Sequence, residues 1–282
     1  MKLHHPHADI YVPDGLEVAD ALSRTTHLGI GAHQDDLEVF AYTGIAECYQ
    51  KSDKWFSGVT VTDGSGSSRT GLYADYSDDD MKAVRIKEQR KAAYVGEYAA
   101  VIQTLHPSSV VKNASESAVV DDLALILQAT QPEVLYLHNP ADKHDTHIAV
   151  FLRTLTALRS LPVEQRPKQT YGVEVWRDLD WMCDEDKRFM IADERPNMAD
   201  ALMSLFDSQI TGGKRYDRAL RGRREANATF FDSHSSDEMN AVNWAMDLNP
   251  LVLNDDIDVV EFTVALIDKF KADVQDRIGR LS

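Results

Sequence analysis

The chain has 282 residues, 43% of them hydrophobic, and carries 46 acidic against 30 basic side chains for a formal net charge of −16. That length can bury a substantial core, and an ordinary apolar fraction with few Gly and Pro excludes disordered, collagen-like and small disulfide-stapled classes. The acidity disfavours nucleic acid as a partner, two cysteines (Cys48 and Cys183) form no metal finger, and no window approaches the ~20 apolar residues of a membrane span, so cytoplasm is the expected compartment.

In chain order, the N-terminal "HHPH" reads as a disordered terminus without signal-peptide character. "HLGIGA" (27–32) suits a buried strand and "EVFAYTGIAECYQK" an amphipathic helix. "KWFSGVTVTDG" predicts a second strand, "GSGSSRTGLYADYSD" a loop, and "DDDMKAVRIKEQRKAAYVGEYAAVIQTL" one long helix. A third strand is expected at "SSVVKN", a helix at "AVVDDLALILQAT", a fourth strand at "EVLYLH" (133–138) and a helix at "THIAVFLRTLTALRSL". "QTYGVEVW" and "RFMIAD" read as later strands, "PNMADALMSLFDSQI" and "VVEFTVALIDKFKADVQDRI" as helices.

Strands alternating with helices imply parallel βαβ units, hence an α/β fold with an open, mostly parallel sheet covered on both faces. The lack of repeats or long linkers makes 1–282 one domain, with 211–257 a candidate cap or oligomer-contact region. The basic stretch "GGKRYDRALRGRRE" (212–225) reads as a helix with solvated arginines, or as arginines meeting an anionic substrate or a subunit.

Ligands of such sheets bind beyond the carboxyl ends of the strands. His33, Asp35 and Asp36 follow the first strand, Asp63 and the Gly-Ser loop the second, and His138, Asp142, His144 and His147 the fourth. "HQDD" alone can be a helix cap. Joined by "HNPADKHDTH", it offers a divalent metal an imidazole, a carboxylate and a further histidine, leaving Asp35 free as a base. Spacing leaves open whether His144 or His147 ligates; His138 reads as a packed or hydrogen-bonded histidine. "TDGSGSSR" lacks a phosphate-loop pattern and reads as an active-site loop offering hydroxyls, backbone N–H groups and Arg69 to a polar ligand.

These residues resemble the PIG-L/LmbE-like N-acetylglucosaminyl deacetylases, zinc enzymes on a Rossmann-like fold: "AHQDDLE" is similar to A-H-P-D-D-x-E, and "DKHDTH" stands at the second signature. "VTVTDGSG", "RIKEQRKAAYVG", "YGVEVW" and "LMSLFDSQI" extend the likeness over roughly residues 27–210 in the family's order. The resemblance implies a Rossmann-like three-layer sandwich and Zn2+ held by His33, Asp36 and His147, other first-row divalent metals being acceptable. It implies Asp35 as general base and His144 as oxyanion stabiliser or acid, with Glu38 buttressing the site and Arg69 and Asp142 contacting substrate.

The activity it implies is hydrolysis of an N-acetyl amino sugar or conjugate to amine and acetate, by a candidate homo-oligomer. A hydrolase of another amide or ester, and a metal-containing sugar-binding protein without turnover, are the competing readings. Two departures stand out. Gln34 replaces the family's Pro and is expected to loosen the turn, and "HDTH" lacks the Asp before its last His, leaving Asp145 or Asp142 to orient His144.

Overall fold

The computed structural model describes residues 1–282. Its strands are β1 (Asp9–Tyr11), β2 (His27–Gly31), β3 (Phe56–Thr62), β4 (Ala100–His106), β5 (Val134–His138), β6 (Gln169–Val173), β7 (Lys187–Ile191) and β8 (Val242–Asp247). Its helices are α1 (Val18–Ser23), α2 (Asp36–Phe40), α3 (Tyr42–Cys48), α4 (Asp78–Val95), α5 (Ser108–Lys112) and α6 (Ala118–Thr130). They continue as α7 (Asp145–Arg159), α8 (Pro196–Ser204), α9 (Asp207–Ile210), α10 (Tyr216–Thr229), α11 (Asn249–Leu253) and α12 (Val259–Leu281).

One eight-stranded sheet has the order β1-β4-β3-β2-β5-β6-β8-β7. The run from β4 to β6 is parallel, while β1, β8 and β7 join antiparallel. Central parallel strands are buried on both faces, so β2, β3 and β4 are continuous buried runs. Side chains of α1, α6, α7 and α11 build a core on one face, and those of α2, α3, α4, α8 and α10 build a second core on the other. This is the three-layer α/β fold expected from the alternation.

Four local expectations fail for physical reasons. The long helix stops at Val95 because Gly96 and Glu97, the latter at φ +52°, turn the chain and Tyr98 N–H closes on the Ala93 carbonyl 2.9 Å away. The apolar run after it is strand β4, whose two buried faces make it look as helical as stranded. "SSVVK" is the short helix α5, started by Pro107. The N-terminus is anchored: Leu3 is buried, and His4 binds the Asp122 carboxylate through its backbone N–H (3.0 Å) and Nδ1 (2.8 Å).

Residues 211–257 are no separate cap. They supply α10 and β8, and β8 lies inside the sheet between β6 and β7. Nor are the arginines of α10 uniformly solvated: Arg224 is buried and donates to the Glu38 and Val39 carbonyls (3.0 and 2.9 Å) and to Asn243 Oδ1 (2.8 Å), fastening α10 to α2 and β8.

Candidate active site

The carboxyl ends of β2, β3 and β5 converge on a cavity of about 540 Å³, lined among others by His33, Asp35, Asp36, Asp63, Arg85 and His144. After β2 the chain turns tightly into α2. The Asp36 carboxylate accepts the His33 backbone N–H at 2.7 Å, closing the turn so that both side chains face one way. His147, fully buried on the first turn of α7, reaches the same point from the β5 side.

The donor atoms cluster closely. His33 Nδ1 lies 3.3 Å from Asp36 Oδ2, His147 Nε2 lies 3.2 Å from His33 Nδ1, and His147 Nε2 lies 3.5 Å from Asp36 Oδ1. Ligands about 2.0–2.1 Å from a tetrahedral zinc stand roughly 3.3–3.4 Å apart, close to these separations, with Asp36 meeting His33 through Oδ2 and His147 through Oδ1. The groups here close enough to share an ion are His33–His144–His147, and Asp36 and His147 with His138; His138 also approaches Asp36, at 3.3 Å. Its Nε2, however, accepts the Ala32 N–H at 3.0 Å and is committed to that bond. Burial and the His147 charge lower His138 to about 4, consistent with a neutral structural imidazole.

Asp35 sits at the N-terminal cap of α2 with φ +99°, a conformation that costs a non-glycine residue energy and points to a fixed purpose. Its Oδ1 lies 3.3 Å from Arg85 Nη2, and its backbone N–H donates to Gln89 Oε1 at 3.2 Å. Burial pushes its pKa up to about 7, against the pull of Arg85 and with help from the Asp36 charge. For Asp36 burial acts the same way, but the charge of His147, with the hydrogen bond of His33, outweighs it and holds the carboxyl well below the usual range. Neighbouring aspartates are thus driven apart, one toward proton exchange near neutrality and one toward permanent charge.

Glu38 buttresses the pair from behind. Its Oε1 accepts from Gln89 Nε2 (2.9 Å) and Tyr98 Oη (2.7 Å), so Gln89 bridges Glu38 and the Asp35 backbone. Gln34 tightens the turn that it was expected to loosen: fully buried, its Nε2 donates to Thr62 O and Gln103 Oε1, both at 3.2 Å, tying the turn to β3 and β4.

His144 borders the cavity, and no carboxylate binds its ring. The imidazole stacks on His147 with centroids 4.5 Å apart, meets His33 edge-on at 5.0 Å, and leaves Nδ1 buried without a partner. Burial first, then the charges of His147 and His33, lower it to about 4. Asp145, a proposed orienter, is exposed. Asp142 steadies the region through other atoms: Oδ1 accepts the His144 N–H (3.0 Å), Oδ2 accepts the Trp176 N–H (3.2 Å) and lies 3.4 Å from His147 Nδ1.

Two substrate-contact expectations are therefore revised. Asp142 is buried behind His147 and away from the cavity wall, where its carboxylate can orient that imidazole. Arg69 also stays out of the cavity, since its guanidinium is held by Ser65 O and Asp78. The cavity arginines are Arg85 and Arg223, and Lys112, Lys214, Trp176 and Tyr216 complete a wall that spacing in the sequence did not reveal. The stretches "YGVEVW" and "RIKEQRKAAYVG" were the only signals for Trp176 and Arg85.

Comparison with known proteins follows the same residues. The family model "PIG-L: GlcNAc-PI de-N-acetylase" matches residues 28–158. YaiS of Escherichia coli K12, described as an uncharacterized deacetylase, is 24% identical over 153 residues, which is 54% of this chain and 77% of that protein. Among solved structures, N,N'-diacetylchitobiose deacetylase from Pyrococcus horikoshii superposes with a TM-score of 0.60 at 15% identity, covering 79% of this chain and 84% of its own. GalB, a 4-carboxy-2-hydroxymuconate hydratase of Pseudomonas putida KT2440, superposes with a TM-score of 0.57 at 15% identity over 79% and 96% of the two chains. At such identities the superpositions establish a shared fold, one that carries hydratase as well as deacetylase names. Residues 28–158, the stretch that holds His33, Asp35, Asp36, His144 and His147, are the part of the chain that matches the PIG-L family model.

Proposed function

We propose that this protein is a metal-dependent deacetylase that hydrolyses the N-acetyl group of an N-acetylglucosamine-type sugar or conjugate to a free amine and acetate. The observation that carries the reading is the convergence of His33, Asp36 and His147, with donor atoms 3.2–3.5 Å apart, beside the Asp35 carboxylate that faces Arg85. The PIG-L match and the deacetylase named in YaiS support it.

His33, Asp36 and His147 would hold the cation, with zinc the first candidate for an N,N,O set. When bound, a divalent ion supplies Lewis acidity that polarises the acetyl carbonyl and acidifies an adjacent water. Asp35 takes the proton from the attacking water; with a pKa near 7 it can then return that proton to the departing amine. Arg85 fixes the rotamer of Asp35, and Gln89 and Glu38 fix its backbone. His144, neutral at pH 7, keeps one ring N–H with which to donate to the developing oxyanion. Trp176 and Tyr216 give the cavity aromatic surface for a sugar ring, and the Ser65, Ser67 and Ser68 side chains give it hydroxyls.

The protein has no helix long and apolar enough to cross a membrane. Its two cysteines are unpaired, which supports a reducing compartment such as the cytoplasm. The test is acetate release from a panel of N-acetyl sugars, peptides and esters, with zinc and with chelator. Release from sugars alone, abolished by chelation and restored by metal, is expected. Turnover confined to peptides or esters would overturn the sugar assignment, and zinc-loaded protein that turns over nothing would overturn the enzymatic one.

A further inference from the structure

Helix α12 spans Val259–Leu281, 23 residues and therefore about 34 Å. One face, through Val259, Phe262 and Leu266, packs on the body of the protein, and Lys269 binds Glu185 (2.9 Å) and Asp186 (2.6 Å). A different face carries Val260, Val264, Ile267, Phe270, Val274, Ile278 and Leu281, all large apolar side chains exposed by 37–88%. Apart from Phe270, which flanks the stripe, these positions step by the 4-3 alternation of a heptad, with Lys271 as the one polar residue in the seam. From Ile267 to the C-terminus every residue except Asp273 is exposed.

A helix of that length does not hold itself up in water, and the two i,i+4 ion pairs on this half, Arg277–Asp273 and Arg280–Asp276, contribute only a few tenths of a kcal/mol each. A heptad seam is covered by another heptad seam, because its knobs need holes of the same spacing. Lys271 decides the orientation. Parallel, in-register pairing would set Lys271 against Lys271 inside the apolar seam. Antiparallel pairing sets it against Ile267 of the partner subunit, with Asp268 of the partner subunit next to it, and aligns Val260 with Ile278 and Val264 with Val274. The seam is then complementary to itself in both shape and charge, as a two-fold interface requires. The exposed apolar surface of the stripe, on both copies together, is roughly 1,200 Å², enough to reach the lower bound of a stable interface.

We infer that α12 is a homodimerisation element, two copies of this chain associating through an antiparallel coiled coil. The experiment is light scattering of the purified protein at micromolar concentration and physiological salt. It should give about 63 kDa, twice the 31.6 kDa of one chain. The double variant Ile267→Asp, Ile278→Asp should raise the dimer Kd at least about 100-fold while far-UV circular dichroism and acetate release stay at wild-type levels.

Orientation is read by oxidative cross-linking in a Cys183→Ser background. Val260→Cys chains mixed with Ile278→Cys chains should form the mixed disulfide, and Val260→Cys alone should not cross-link. A monomeric wild type at ~50 μM, where an interface of this class associates, would overturn the proposal. So would a dimer that survives both aspartates. Cross-linking of Val260→Cys to itself would overturn the antiparallel pairing.

Discussion

Replacing Asp35 by Asn separates the base from the framework that holds it. Asn is nearly isosteric, tolerates the left-handed backbone at φ +99°, and keeps an oxygen to face Arg85. What it loses is basicity, and general-base assistance is worth about 10²–10⁴ in rate, or ~2.7–5.4 kcal/mol of barrier. The expected outcome is a fall in kcat of that size with KM changed less than about 3-fold, because none of the cavity's sugar-facing groups is touched. Metal stoichiometry should be unchanged, since His33, Asp36 and His147 remain.

Asp35→Ala is the informative companion: it adds a backbone cost of ~1–2 kcal/mol at the left-handed position and leaves Arg85 facing a void. Both variants should lose turnover, and only the alanine should also lose stability. The assay is acetate release under saturating and limiting substrate, with metal analysis and thermal unfolding run in parallel. An Asn variant that kept more than about a tenth of its rate would refute the base assignment. One that lost its metal would show Asp35 to be a ligand.

Asp142→Asn removes the charge behind His147 while keeping its shape, and metal affinity measured by competition with a chromophoric chelator should fall about 10–100-fold; unchanged affinity would remove Asp142 from the positioning role. Burial pushes Glu38 up to about 8 from an ordinary value of 4.5. The folded protein then keeps a proton that the unfolded chain releases, so this stabilisation is complete below pH 4.5 and is lost as pH rises to about 8, by up to ~1.4 kcal/mol per pH unit. Glu38→Gln should flatten that part of the stability profile in urea titrations between pH 5 and 8, and identical slopes would contradict a neutral Glu38. Gly64 lies at φ +74°, and a Cβ there would stand 2.8 Å from Gln34 Oε1 and 2.9 Å from Arg85 Cγ. Gly64→Ala should cost about 1–3 kcal/mol in stability and disturb Arg85, so activity should fall with it; a silent substitution would show the contact to be slack.

Local information carried the chemistry-bearing residues because the turn after β2 and the first turn of α7 are short-range structures. Once a strand and a helix are recognised, Asp36 closing on the His33 N–H is nearly determined by a three-residue spacing. Periodicity likewise exposed the alternation of strands and helices, and so the three-layer architecture.

It could not tell β4 from the end of a helix, because a strand buried on both faces has no alternation to display. Nor could it see that Arg85 and not Arg69 enters the cavity, that Asp142 lies behind His147, or that the His144 ring is steadied by its neighbouring imidazoles while a carboxylate holds only its backbone. The Arg85 contact with Asp35 joins residues 50 positions apart, set by which elements the sheet makes neighbours, and the other two depend on side-chain directions that spacing does not specify. The stripe on α12 shows the same division: its heptad spacing is written in the sequence, but that this face lies bare while the neighbouring face packs is decided only by where the body of the protein ends.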